Sequence, residues 1–135
     1  MAAISRAIQA VAGASEGEIR DPRTQPIRVM IVDDDPDIRA VLRVLMEMEG
    51  FDVVAEVGDG DEAVPEAMRT QPDVVILDYM MPKLDGSEAA DFIRTVAPHA
   101  RILAFSGVIH ELPEWADLFI EKGRLAEMAN LIAKK

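Results

Sequence analysis

Three consecutive carboxylates, Asp33, Asp34 and Asp35, end the apolar run IRVMIV, and Pro36 follows them. Ionised carboxylates packed this closely repel one another, and a like charge nearby drives at least one toward protonation unless a cation is supplied. A fourth acid, Asp78, ends a second apolar run, DVVIL. With no cysteine in the chain, the donor set is oxygen alone, which suits a hard divalent cation such as Mg²⁺. That ion keeps several waters and takes one or two carboxylates, so positions stay open for a phosphoryl group. Ser106 closes the run RILAF and Lys122 closes DLFIE. A hydroxyl and an ammonium are the donors that hold phosphoryl oxygens.

Asp33 and Lys122 are 89 positions apart, so the fold must bring them together. From Ile27 onward, short apolar runs alternate with helical periodicity, the signature of βαβ units and a parallel sheet. Five strands are expected: IRVMIV (27–32), DVVAEV (52–57), DVVIL (73–77), RILAF (101–105) and DLFIE (117–121). Between them, Ile38, Val41, Leu42 and Leu45 mark one helix face, Ala63, Ala67 and Met68 a second, and Ala89, Phe92 and Ile93 a third. Pro36 suits the first turn of the first helix, Asp85 with Glu88 makes a capping box for the third, and Asp59 and Asp61 read as turn and cap residues. A last helix from about Arg124 uses Leu125, Met128, Ala129 and Ile132 and ends in Lys134 and Lys135, favourable at a C-terminus. The crossover GVIHELPEWA has only ten residues and contains Pro113, whereas a crossover with its helix needs at least ~10–12. The fourth helix is therefore expected to be shortened or missing. In an open doubly wound α/β sheet, ligands lie outside the carboxyl ends of the strands, where the strand order reverses. Asp33, Asp34, Asp78, Ser106 and Lys122 all stand at such ends.

Composition narrows the function classes. With 135 residues, half of them hydrophobic, one domain with one well-formed core is expected. A net charge of -11, from 14 basic and 25 acidic residues, would repel nucleic acid and anionic lipid, so no direct nucleic-acid or membrane partner is expected. No run approaches the ~18 apolar residues of a membrane span. The lack of cysteine fits a reducing compartment, and a cytoplasmic location is expected. Residues 1–26 form an N-terminal extension, rich in small residues and then in turn formers and charges, ahead of a domain at 27–135. Ile4, Ile8 and Val11 within it give the narrow stripe of a short helix, marginal by itself in water.

The stretches VDDDPDIR, VILDYMMPKLDG, LAFS and LFIEKG resemble the signature sites of the two-component response-regulator receiver domain. The resemblance spans about residues 27–135, with the four sites in order at spacings of 45 (33 to 78), 28 (78 to 106) and 16 (106 to 122). It implies a flavodoxin-like sheet in the order 2-1-3-4-5. It makes Asp78 the acceptor of phosphate from the phosphohistidine of a sensor histidine kinase or a histidine phosphotransfer protein. Asp33 and Asp34 become the acidic pair that holds Mg²⁺, joined by Asp78 and the backbone carbonyl of Met80. Lys122 contacts the phosphoryl group, Ser106 moves toward it, and Phe119 matches the aromatic switch of active receivers. Pro82 and Gly86 match the turn after the acceptor. Such a chain catalyses only its own phosphorylation and dephosphorylation, and with 13 residues after Lys122 it signals as a stand-alone module by contact with a downstream protein.

Two departures carry expectations of their own. Gly123 stands where the family usually has proline, so the Lys122–Gly123 bond is expected to be trans, since a non-proline cis bond costs about 2.5–4 kcal/mol. Met80 and Val108, each two residues beyond a site residue, cannot orient an attacking water, so slow loss of phosphate is expected. Three other readings stand beside this one. A degenerate receiver would act as a phosphorylation-independent interaction module. A haloacid-type phosphatase using Asp33 and Asp35 needs more apparatus than the chain has room for. An EF-hand on Asp33, Asp35 and Asp37 fails, because its sixth position is Ile38 and its twelfth Val44. Trp115 and the methionines read as packing residues, Asp35 as a spectator, and Asp34 as the competing N-cap of the first helix.

Overall fold

The computed structural model describes residues 25–79, 86–108 and 111–133. Residues 1–24 of the expected extension lie outside the described residues, as do Met80, Pro82, Asp85, His110, Lys134 and Lys135. Strands β1 (Arg28–Val32), β2 (Asp52–Val57), β3 (Val74–Asp78), β4 (Arg101–Ser106) and β5 (Leu118–Glu121) form one sheet in the order β2-β1-β3-β4-β5. Every pairing is parallel. Helices α1 (Pro36–Met48), α2 (Gly60–Thr70), α3 (Gly86–Val96) and α4 (Met128–Ala133) complete the described elements, with a 3₁₀ stretch at Lys122–Glu127 before α4. This is the doubly wound arrangement expected, and none of the described helices is long and apolar enough to cross a membrane.

Period-two alternation along the strands sorts the interior into two clusters. Met30, Val32, Val75, Leu77, Ile102 and Ala104 face α2 and α3, while Val29, Ile31, Val74, Ile76, Leu103, Phe105 and Ile120 face α1 and α4. A strand covered on both faces needs apolar residues at nearly every position, which is why these runs are almost continuously hydrophobic. The helices on the two faces differ in kind. Ala63, Ala67, Ala89 and Ala90, with the larger Ile93, serve one, and Leu42, Met46, Met128 and Ile132 the other.

Three helix-face assignments need correction. Val41, Met68 and Phe92 are 46%, 56% and 53% exposed, so they do not join the buried faces expected for them. Other positions on the same helices are buried instead: Met46 in α1, Thr70 in α2 and Ala90 in α3. At about 100° per residue, a face judged from three or four apolar positions is easily misplaced by one residue. The last helix also starts later than expected, because Arg124 has φ -116 and ψ 32, outside helical geometry.

Between β4 and β5 no helix occurs among the described residues; a turn closed by Ala116 N donating to Pro113 O (3.2 Å) stands there. Asp117 ties the crossover to β4 twice, its N donating to Ile102 O and its Oδ2 accepting from Ile102 N, each at 2.8 Å. At the opposite end of the sheet, Gly50 turns the chain from α1 into β2 with φ 86. Space is not the constraint there, since nothing lies within 4 Å of a Cβ at Gly50. The constraint is the backbone, so Gly50→Ala is expected to lower unfolding free energy by about 1 kcal/mol, read as a shifted urea midpoint with unchanged slope.

Candidate functional site

Parallel pairing of β1 with β3 matches Val32 with Leu77, so the next residues of each strand, Asp33 and Asp78, emerge side by side. Asp33 is 0% exposed and Asp78 3%. The backbone fixes Asp33 tightly. Its N donates to Val57 O (3.1 Å), its carbonyl accepts from Arg39 Nη1 (2.6 Å), and its Oδ1 accepts from Asp35 N (2.9 Å). Its Oδ2 is buried with no hydrogen-bond partner. Asp35 is the N-cap of α1, accepting from Asp37 N, and Pro36 follows in the first turn as expected. The cap is thus Asp35 rather than Asp34, which leaves the exposed Asp34 carboxylate at the rim of the cleft.

Lys122 reaches the pair from the end of β5. Its Nζ lies 3.5 Å from Asp33 Oδ2 and 3.6 Å from Asp78 Oδ1. The ammonium also sits 5.3 Å from the ring centroid of Phe105, the residue opposite Asp78 on β4, in a cation–π contact. Among the described residues the peptide bonds are all trans, Lys122–Gly123 included. The ammonium therefore sits beside two buried carboxylates, and Asp34 adds a third carboxylate at the rim. Carboxylate oxygens of Asp33, Asp34 and Asp78 lie within 4.8 Å of one another, close enough to share an ion. A buried oxygen without a hydrogen bond, among three clustered carboxylates in an oxygen-only donor set, fits a hard divalent cation.

Ser106 ends β4 one position past Phe105, 1% exposed, with its Oγ accepting from Val108 N (3.0 Å). Phe119 is half-buried and packs on the α2/α3 side of the sheet, opposite Ala104. Gly86 opens α3 and donates its N–H to Tyr79 O (3.2 Å). Met80, whose carbonyl was expected to join the donors, lies outside the described residues. Asp33, Asp34, Asp78 and Lys122 thus converge in one cleft. Reading the sequence alone missed Arg39, Phe105, Tyr79 and Trp115 around it. Arg39 could have been found from its place one turn into α1, on the side that meets the strand end. The other three depend on register and on a contact across the crossover, for which the sequence carries no local signal.

The chain resembles proteins of known kind along most of the described length. It is 43% identical over 83 residues to the transcriptional regulatory protein PdtaR of Mycobacterium tuberculosis, covering 60% of this chain and 40% of PdtaR. It therefore spans less than half the length of that relative. Chemotaxis protein CheY of Thermotoga maritima is 32% identical over 117 residues, covering 79% of this chain and 98% of CheY. Among solved structures, a chain of the CheX–CheY–BeF3–Mg²⁺ complex of Borrelia burgdorferi superposes with a TM-score of 0.74 at 29% identity, covering 82% of this chain and 89% of that one. The family described as response regulator receiver domain matches residues 29–123, well over half of the sequence, and the chain belongs to that family.

Proposed function

We propose that this receiver accepts a phosphoryl group on Asp78 from the phosphohistidine of a sensor histidine kinase or histidine phosphotransfer protein, and signals by contact with a downstream protein. The observation that carries the reading is the buried Asp33 Oδ2, without a hydrogen bond, beside Asp78, with Lys122 Nζ 3.5 Å from the first and 3.6 Å from the second. Asp33, Asp34, Asp78 and the Met80 carbonyl would hold Mg²⁺. The similar chain of the CheX–CheY complex, which carries BeF3 and Mg²⁺, supports that assignment. When bound, the ion supplies positive charge that offsets repulsion between the acceptor carboxylate and the incoming phosphoryl oxygens.

This chain's own residues supply the rest. Asp78, held at the end of β3, presents an oxygen to phosphorus, and the O–P bond forms as the donor's N–P bond breaks. Lys122 stays beside the acceptor through the transfer and balances charge on the phosphoryl oxygens. Ser106 then donates its hydroxyl to one of those oxygens, and Phe119 moves with it. On the outer side of α1, Val41, Val44 and Met48 are 46%, 54% and 76% exposed at helical spacing. An exposed apolar stripe of this kind supports docking of a helical protein donor. The receiver works in the cytoplasm as the domain at 27–135, with 1–26 as an extension.

Incubation with acetyl phosphate and Mg²⁺ tests the reading. Intact mass should rise by one phosphoryl group, mapping to the peptide that contains Asp78, and no gain in mass, or a gain elsewhere, overturns it. After removal of the donor the same measurement should show slow decay, because Val108 is apolar and 59% exposed and gives an attacking water no side-chain hydrogen bond.

A further inference from the structure

We infer that Trp115, carried by the crossover between β4 and β5, is a positioning residue for the phosphorylation site. The inference rests on the reading of Asp78 as acceptor and goes beyond it. Tyr79, the residue directly after Asp78, stacks on the Trp115 indole with ring centroids 5.9 Å apart and planes 8° from parallel. Alternation along β3 explains the pairing. Asp78 shares the face of Ile76 and Val74, toward α1 and α4, and the next residue turns to the α2/α3 side, where Trp115 packs.

The indole also rests on Gly86. A Cβ there would lie 2.8 Å from Trp115 Cζ2, 2.9 Å from Cη2 and 3.3 Å from Tyr79 Cα, distances that leave no room for a side chain. Gly86 N donates to Tyr79 O at 3.2 Å. One indole therefore touches both described residues that flank 80–85, the segment carrying the Met80 carbonyl.

Trp115 is itself held from behind. Its carbonyl accepts from Arg94 Nη2 (2.8 Å), and the same guanidinium lies 3.3 Å from Asp117 Oδ2, the carboxylate that accepts from Ile102 N. The backbone that carries the ring is thus tied to α3 and β4, two elements that do not include Asp78. Where no helix stands among the described residues between β4 and β5, this aromatic links the crossover to the backbone beside the acceptor. Displacing a reacting group by a fraction of an ångström slows a reaction that depends on alignment.

The test compares Trp115→Leu, which keeps apolar bulk without a ring, with Trp115→Phe, which keeps a ring that can stack. For each, the rate of Asp78 phosphorylation by acetyl phosphate is followed by mass as Mg²⁺ is varied, alongside the thermal midpoint. Trp115→Leu should slow phosphorylation of the folded protein about tenfold and raise the Mg²⁺ concentration for half-maximal rate, whereas Trp115→Phe should restore both to within about twofold. A variant that melts earlier but keeps the wild-type rate and Mg²⁺ dependence shows a structural role only and overturns the proposal.

Because Trp115 is the single tryptophan, its emission in the unaltered protein is a second reading, available even if Trp115→Leu does not fold. Emission should change on adding Mg²⁺ with the same midpoint as the phosphorylation rate. Unchanged emission in a protein that takes up phosphate overturns the proposal. A wild-type chain that takes up no phosphate overturns instead the assignment of Asp78, so the two failures are distinguishable.

Discussion

Lys122→Met is expected to slow phosphorylation of Asp78 by about 100-fold, the effect of removing one preorganised positive donor from a charge-developing site. Methionine keeps the apolar stem that passes Phe105 and deletes the ammonium, so the change reports charge more than packing. It should also destabilise the metal-free protein. Side chains of Asp33 and Asp78 are 1% and 5% exposed and have the Lys122 ammonium at 3.5 and 3.6 Å. Removing one partner of a fully buried pair costs about 3–5 kcal/mol. The lysine side chain is 32% exposed, so solvent screening reduces the expected loss to about 2 kcal/mol. Saturating Mg²⁺ should return part of it, because a second cation then meets the same carboxylates. Urea unfolding with and without Mg²⁺, paired with mass-resolved phosphorylation, checks both statements. A rate within threefold of wild type would remove Lys122 from the site's chemistry.

Asp33→Asn should act with the opposite sign on stability. Asparagine preserves an oxygen for the Asp35 N–H while cancelling a carboxylate whose other oxygen is buried without a hydrogen bond. Lys122 then keeps Asp78 as its buried carboxylate partner, with one buried negative charge fewer beside it. The metal-free protein is expected to gain about 1–2 kcal/mol, the relief of an incompletely compensated buried charge. Divalent binding should fall at least tenfold, since the most enclosed carboxylate of the donor set is gone. Wild type therefore rises in stability as Mg²⁺ is added, following the logarithm of occupancy, whereas the variant starts higher and stays flat. Chemical denaturation across a Mg²⁺ series measures both. A metal-free variant less stable than wild type would show that the carboxylate is satisfied without an ion.

Much of this arrangement was legible in the sequence because it follows from alternation and from what ends each strand. Runs such as VMIV in β1 and VVIL in β3 are hydrophobic at every position, which only a sheet covered on both faces requires. Acids placed immediately after two of them then meet at the strand ends. The crossover was legible from length alone, since ten residues interrupted by Pro113 leave little room for a helix. What stayed illegible depends on rotation and on distant contacts. Val41 and Phe92 satisfy helical spacing as well as Met46 and Ala90 do, and only docking on the sheet selects between them. Among the three carboxylates after β1, the sequence alone points to Asp34 as the competing cap and to Asp35 as a spectator. The hydrogen bond from Asp37 N makes Asp35 the cap, and that places Asp33 inward and Asp34 at the rim. Tyr79 and Trp115 are 36 positions apart, and no local pattern announces their stack.

The unlike composition of the two interior faces has a consequence for tolerance. Alanine has no side-chain rotamers to lose, so ordering Ala63, Ala67, Ala89 and Ala90 against the sheet carries no side-chain entropy penalty. The same methyl groups hold α2 and α3 at a separation that no longer side chain can share without pushing a helix outward. On the other face, Met46 and Met128 are flexible enough to refill a gap left by a neighbour. Natural variation in volume should therefore accumulate beneath α1 and α4, and the alanine-lined half should drift hardly at all.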